Sequence, residues 1–199
     1  MAEPAVRHQT INRLFFALWP PDAVRDACAA AARELSMRMQ PGGRALPAAR
    51  YHMTLLFLGS TVAPEKEAAA RQAASLVHAS PFVLRLDHAG SFRSRQIPWW
   101  LGAHETPPEL VQLHERLRAA LLRAGVTPDR RQLVPHLTIL RDARRVLPQT
   151  AIAPIEWPVD AFVLVRSRLD RKPVDYEVIG RWPLRGGAGS GPDQLALPL

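Results

Sequence analysis

One cysteine, Cys28, occurs in 199 residues, so neither an intramolecular disulfide nor a multi-cysteine zinc site can form. That usage fits a reducing compartment. Long apolar runs are missing as well. No segment approaches the length needed to cross a bilayer, and residues 1–12 lack the apolar stretch of a secretory signal, which predicts a soluble, cytoplasmic protein with no membrane partner. Lysine is nearly absent, Lys66 and Lys172 being the only two, and acidic residues are in deficit, with 18 Asp+Glu against 26 Lys+Arg. The resulting charge of +8 and pI of about 11.0 favour anionic partners such as nucleic acid or phosphate esters. No exposed apolar stripe is evident, which favours a monomer.

Against these absences stands a hydrophobic content of 47%, enough to bury one domain or two small lobes sharing a core. Arg13 to Trp19 reads as a buried strand stopped by Pro20-Pro21. Val24, Cys28, Ala31, Leu35 and Met39 then recur on one helical face that ends at Pro41-Gly42-Gly43. A second Ala-rich helix is expected from about Pro64 to His78, and a third from about Pro107 to Ala124 with Leu110, Leu113, Leu117, Leu121 and Leu122 inward. Strands are expected around His52, at Phe82 to Leu86, at Ile97 to Leu101 and around His136. Two more follow, Ala161 to Arg166 and Tyr176 to Arg181, joined by a polar turn around Asp170 to Pro173. The alternation of strands and helices predicts an α+β fold with helices outside mostly antiparallel sheets. The domain should span residues 12–185, followed by a flexible Gly-rich tail over 186–199.

One pattern occurs twice. His52-Met53-Thr54-Leu55-Leu56 and His136-Leu137-Thr138-Ile139-Leu140 place an imidazole and a hydroxyl two residues apart in aliphatic strands, 84 residues from each other. Chance predicts about 0.25 His-x-Thr occurrences for seven histidines and seven threonines, so two with matching flanks call for a cause. Strand side chains alternate, so His52 and Thr54 share one face, as do His136 and Thr138. Two similar lobes facing across a cleft would bring the imidazoles together.

In-line hydrolysis of a phosphodiester needs a base where water attacks and an acid where the leaving oxygen collects charge. Free histidine titrates near 6.5, so one imidazole can be neutral while the other is protonated. The hydroxyls of Thr54 and Thr138 can donate to non-bridging oxygens, and an arginine can stabilise the growing charge. This chemistry requires no metal and no other cofactor.

The pair His52-x-Thr54-x-x-Phe57 and His136-x-Thr138-x-x-Arg141 resembles the two-histidine phosphoesterases. Specifically, it is similar to the bacterial RNA 2′,3′-cyclic phosphodiesterase branch, historically named 2′-5′ RNA ligase. The likeness extends from Arg13-Leu14-Phe15-Phe16-Ala17-Leu18 through Leu55-Leu56-Phe57-Leu58-Gly59 and Trp100-Leu101-Gly102 to Ser167-Arg168-Leu169 and Tyr176-Glu177-Val178. It implies a bilobal fold with a pseudo-twofold axis and opening of a terminal 2′,3′-cyclic phosphate to a 2′-phosphate. In some members it implies reversible, ATP-independent 2′-5′ joining of RNA ends. It also implies that His52 protonates the leaving 3′ oxygen and His136 activates water, roles that the near-symmetric residues themselves leave open.

Phe57 and Arg141 stand an odd number of steps from their histidines, so a regular strand would turn both away from the cleft. Phe57 is then expected in the core. Arg141 either forms a structural ion pair, for instance with Asp142, or is returned to the phosphate by a bend, as the resemblance implies. Of Tyr51, Trp99 and Trp100, one is expected to stack on a terminal base and the others to pack. His8, His78, His88, His104 and His114 lack a threonine two residues on and read as structural. Asp87-His88, His104-Glu105 and His114-Glu115 put ligand types side by side, but adjacent side chains diverge, so no metal site is expected.

Two further readings bear on partners. A module that holds RNA ends without turning them over would need only the basic charge. Separately, Gln194-Leu195-Ala196-Leu197-Pro198-Leu199 resembles the peptide by which bacterial proteins dock into the DNA polymerase sliding clamp, with Gln194, Leu195, Leu197 and Leu199 as the expected contacts.

Overall fold

A computed structural model describes residues 12–168 and 175–186. The polar turn around Asp170 to Pro173 and the terminal peptide Gln194 to Leu199 lie outside them.

Two antiparallel sheets form the frame, and each holds one of the repeated motifs. The first contains β1 (Asn12–Leu18), β3 (Met53–Gly59), β8 (Ala161–Arg168) and β9 (Asp175–Pro183) in the order β3-β1-β8-β9. The second contains β2 (Arg44–Ala45), β4 (Phe82–Ser91), β5 (Ile97–Gly102), β6 (His136–Ala143) and β7 (Thr150–Val159) in the order β2-β6-β5-β4-β7. The α+β architecture read from the element order is the observed one. No helix of the described residues is long and apolar enough to cross a membrane.

Three helices cover the sheets: α1 (Asp22–Met39), α2 (Pro64–Ser75) and α3 (Pro108–Arg123). Val24, Cys28 and Leu35 are buried on α1, as their spacing predicts, while Met39 at its last turn is exposed. On α3, Leu110, Leu113, Leu117 and Leu121 are fully buried, each stabilising the core by roughly 1.5–3 kcal/mol. Leu122, one residue or about 100° further round the helix, is exposed. α2 stops at Ser75, short of the expected His78, and Leu76 and Val77 close a turn onto Ala73 and Ala74.

β7 is the element that the residue pattern hides. Its Pro154 and Pro158 argue against a strand, because proline donates nothing to a ladder. The topology removes the objection, since β7 pairs only with β4 and forms the edge of its sheet.

The repeat is structural as well as sequential. In β1 against β3, Ala17 faces Thr54 and Phe16 faces Leu56, so Leu55 is an extra residue on β3. In β5 against β6, Trp100 faces Thr138 and Trp99 faces Leu140, so Ile139 is the extra residue on β6. Each motif strand therefore carries a β-bulge directly after its threonine, at positions again 84 apart. One added residue reverses which face the following side chains occupy.

Candidate active site

Both histidines stand at the start of their strands, His136 as the first residue of β6 and His52 just before β3. Each is held by the same contact. His52 Nδ1 lies 2.8 Å from the carbonyl oxygen of Arg50, and His136 Nδ1 lies 2.7 Å from that of Val134, two residues upstream in both cases. A carbonyl only accepts, so Nδ1 must carry the hydrogen in both rings. Nε2 is thus the nitrogen that can exchange a proton, and it has no protein partner among the described residues.

The two rings line a single cavity of about 840 Å³ between the sheets. Thr54 and Arg141 line it too. Thr138, half-buried opposite Trp100, is not among the described lining residues, although it shares the strand face of His136.

The bulges decide the odd-step positions. After Ile139 the alternation of β6 is reversed, so Arg141 comes back to the face of His136 and reaches the cavity. The expected alternative pairing with Asp142 does not occur, because the Asp142 carboxylate binds Arg44 at 3.0 Å. Phe57 corrects the expectation of a core residue. By the same reversal after Leu55 it is half-buried and lines the cavity, packed against a small cluster of Phe15, Ala17, Val163 and Val165.

The aromatic candidates also need correction. Tyr51, Trp99 and Trp100 are all buried and none is among the described lining residues. Phe15, Phe57, Phe92 and Tyr176 supply the aromatic surface instead. β1 is apolar from Leu14 to Leu18, so nothing in the residue pattern distinguishes Phe15 from the core. The Phe92 loop and Tyr176 reach the cavity through tertiary packing alone.

The surroundings of the two imidazoles differ. The His52 ring has Phe15 at 5.0 Å, Tyr176 edge-on at 5.3 Å and Trp19 stacked at 6.0 Å. His136 meets Phe92 edge-on at 4.8 Å. Burial drives the His52 pKa down to about 4, with the charges of Arg141, His136 and Arg50 acting in the same direction and the Arg50 carbonyl opposing them. Burial also lowers His136, against its carbonyl contact. Burial thus favours the neutral form of both imidazoles.

Arg25 organises the His52 side from behind. Its guanidinium stacks on Trp19 at 4.9 Å, and it donates from Nε to Pro20 at 2.8 Å and from Nη1 to the Ala49 carbonyl at 2.9 Å. Ala49 belongs to the short 3₁₀ turn Ala48–Arg50, whose last carbonyl orients His52. One side chain therefore touches both the stacking ring and the turn that holds the imidazole.

Elsewhere, His88 Nδ1 lies 3.2 Å from Asp87, and His114 is buried on α3 with Nε2 unpartnered. Among the described residues no group of three or more His, Cys, Asp or Glu is placed to hold a metal ion.

Residues 20–171 match the 2′-5′ RNA ligase superfamily. The RNA 2′,3′-cyclic phosphodiesterase of Escherichia coli K12 is 35% identical over 179 residues, covering 87% of this chain and 97% of the relative. The protein of the same name from Thermus thermophilus is 34% identical over 192 residues, covering 89% and 92%. In three dimensions, E. coli LigT in complex with 3′-AMP superposes with a TM-score of 0.75 at 33% identity, covering 88% of this chain and 99% of LigT.

Proposed function

The chain belongs to the 2′-5′ RNA ligase superfamily, and from that premise we propose that it hydrolyses the terminal 2′,3′-cyclic phosphate of RNA to a 2′-phosphate, with His52 and His136 as an acid–base pair. The observation that carries the proposal is the matched pair of imidazoles, each with Nδ1–H tied to a carbonyl and both lining one cavity with Arg141.

Water attacks phosphorus in line with the P–O3′ bond. A new P–O bond forms as P–O3′ breaks, the water proton passes to Nε2 of His136, and Nε2 of His52 gives its proton to O3′. Thr54 and Thr138 donate to non-bridging oxygens, and Arg141 opposes the charge that develops on them. Proton exchange with solvent resets the pair. The bound phosphodiester contributes to its own reaction, because its negative charge raises the pKa of the His52 ring that burial and neighbouring cations otherwise keep neutral. Joining of RNA ends through a 2′-5′ linkage is the same displacement with the 5′-hydroxyl of a second strand attacking in place of water, so that P–O5′ forms as P–O3′ breaks, and attack of O3′ on that linkage is its reverse.

Release of a 2′-phosphate from a cyclic-phosphate oligonucleotide tests the proposal. His136→Ala should lower the rate by roughly 10²–10⁴-fold while the oligonucleotide still binds. Near wild-type rates in both His136→Ala and His52→Ala would leave the alternative, a module that holds RNA ends without reacting. That one chain supplies both histidines and the cavity between them supports the monomer as the working unit. Function in the cytoplasm and docking of Gln194 to Leu199 into a sliding clamp are proposed from the sequence. A clamp pull-down unchanged by deletion of those six residues would remove the docking.

A further inference from the structure

On the β6 side, Arg141 of the cavity wall stands beside a group of further arginines. β2 pairs with β6 so that Arg44 lies opposite Arg141. This approach needs the Gly42-Gly43 turn, because Gly43 has φ +75° and a Cβ there would stand 2.5 Å from the Arg141 carbonyl oxygen. The Arg144 amide donates to Pro41 at 2.9 Å, and the Arg144 side chain lies along Gly42. Arg145 follows, its carbonyl accepting from Trp99 Nε1 at 2.8 Å. Ile97 of β5 pairs with Ala143, which brings the loop bearing Arg93 and Arg95 to the same end of the sheet. That loop starts at Phe92, the residue set against His136.

Six exposed arginines thus share one edge with a single carboxylate, Asp142, which is bound to Arg44. Among the described residues no other carboxylate lies within 4.0 Å of any of them. Elsewhere several arginines are paired with carboxylates. Arg71 and Arg166 meet Glu67, Arg85 meets Glu156 and Arg181 meets Asp160. Unpaired guanidinium groups held together repel one another, and a chain of phosphates removes that repulsion while matching their planar donor geometry. Arg141 belongs both to the cavity and to this rim, so a strand whose end occupies the cavity meets the rim next.

We infer that Arg44, Arg93, Arg95, Arg144 and Arg145 hold backbone phosphates of the RNA strand leading into the cavity, so that ends of polynucleotides are favoured over mononucleotides. The inference rests on the proposed activity. It is tested by comparing a ten-nucleotide RNA ending in a 2′,3′-cyclic phosphate with a 2′,3′-cyclic mononucleotide, using wild type and the triple variant Arg93→Ala, Arg95→Ala, Arg144→Ala. The variant should lose roughly 10–100-fold in kcat/KM on the decamer and less than about 2-fold on the mononucleotide, and the salt dependence of decamer binding should fall by about two charges. Lysine in place of alanine at the three positions should return most of the loss. Equal kcat/KM of wild type and variant on the decamer would overturn the rim while leaving the activity intact. If wild type opened neither substrate, the activity would fail. Anisotropy with the labelled decamer would then decide the rim alone, weaker binding by the variant supporting it and unchanged binding overturning it.

Discussion

The first-lobe motif ends in an aromatic and the second in a cation, although the two strands share register, bulge and histidine anchor. Phe57 and Arg141 occupy equivalent places, five residues after their histidines, and both reach the same cavity. His52 sits among three aromatic rings, whereas His136 meets Phe92. Duplication thus supplies two interchangeable frames, and chemistry is assigned by what surrounds each frame. In the proposed mechanism the burial-lowered imidazole in the aromatic setting is the acid, protonated when a bound anion raises its pKa. The more open imidazole, with arginine nearby on its own strand, is suited to take a proton from water.

Exchanging the odd-step residues would break this comparison most severely. Arg141→Phe should lower kcat by roughly 10²–10³-fold, the cost of removing one group that stabilises transition-state charge. Phe57→Arg in that background should not restore it, because the only cation of the exchanged pair then stands on the His52 side, where it opposes protonation of that ring, and none remains on the His136 strand. Full rescue in a kinetic assay would show the lobes to be equivalent.

Protonation sharpens the comparison next. NMR titration of the ligand-free protein should place His52 near 4 and below His136, and saturating phosphate should raise it. The kcat/KM profile should be bell-shaped with its maximum below pH 6.5, and the kcat maximum should lie at higher pH.

The same shift acts on folding. Below pH 6.5 the unfolded chain takes up the His52 proton first, so stability falls as pH drops from 6.5 towards 4 and is fully present above 6.5. From pH 7 to 5 this amounts to about 2 kcal/mol. Urea melts of His52→Gln should show a correspondingly smaller loss across that interval. An unchanged slope would assign the acid sensitivity to His136 and His114 instead.

Arg25→Ala is expected to have the smallest effect. It leaves the cavity lining untouched but releases Trp19 and the Ala48–Arg50 turn together. A fall in kcat of about 10-fold with KM nearly constant is expected, consistent with looser placement of a catalytic group. Arg25→Lys should recover little, since a compact ammonium lacks the planar face that stacks on Trp19 and the spread that reaches the Pro20 and Ala49 carbonyls together. A change confined to thermal stability would deny Arg25 a positioning role.

Local periodicity was sufficient for the helices that pack the lobes and for the strand identity of both motifs. Burial patterns of 3.6 and 2 residues arise within a single element and need no partner. The His-x-Thr repeat, the α+β architecture and the basic charge were legible for the same reason. Facing Phe57 and Arg141 into the cavity required the bulges at Leu55 and Ile139, which exist only as a mismatch between two paired strands. Proline-bearing β7 was visible only once the sheet order made it an edge. Neither Phe92 and Tyr176 as cavity walls, nor the lowered pKa of His52, follows from sequence neighbours. Both depend on which surfaces approach through space, and that was settled when the two sheets closed on one another.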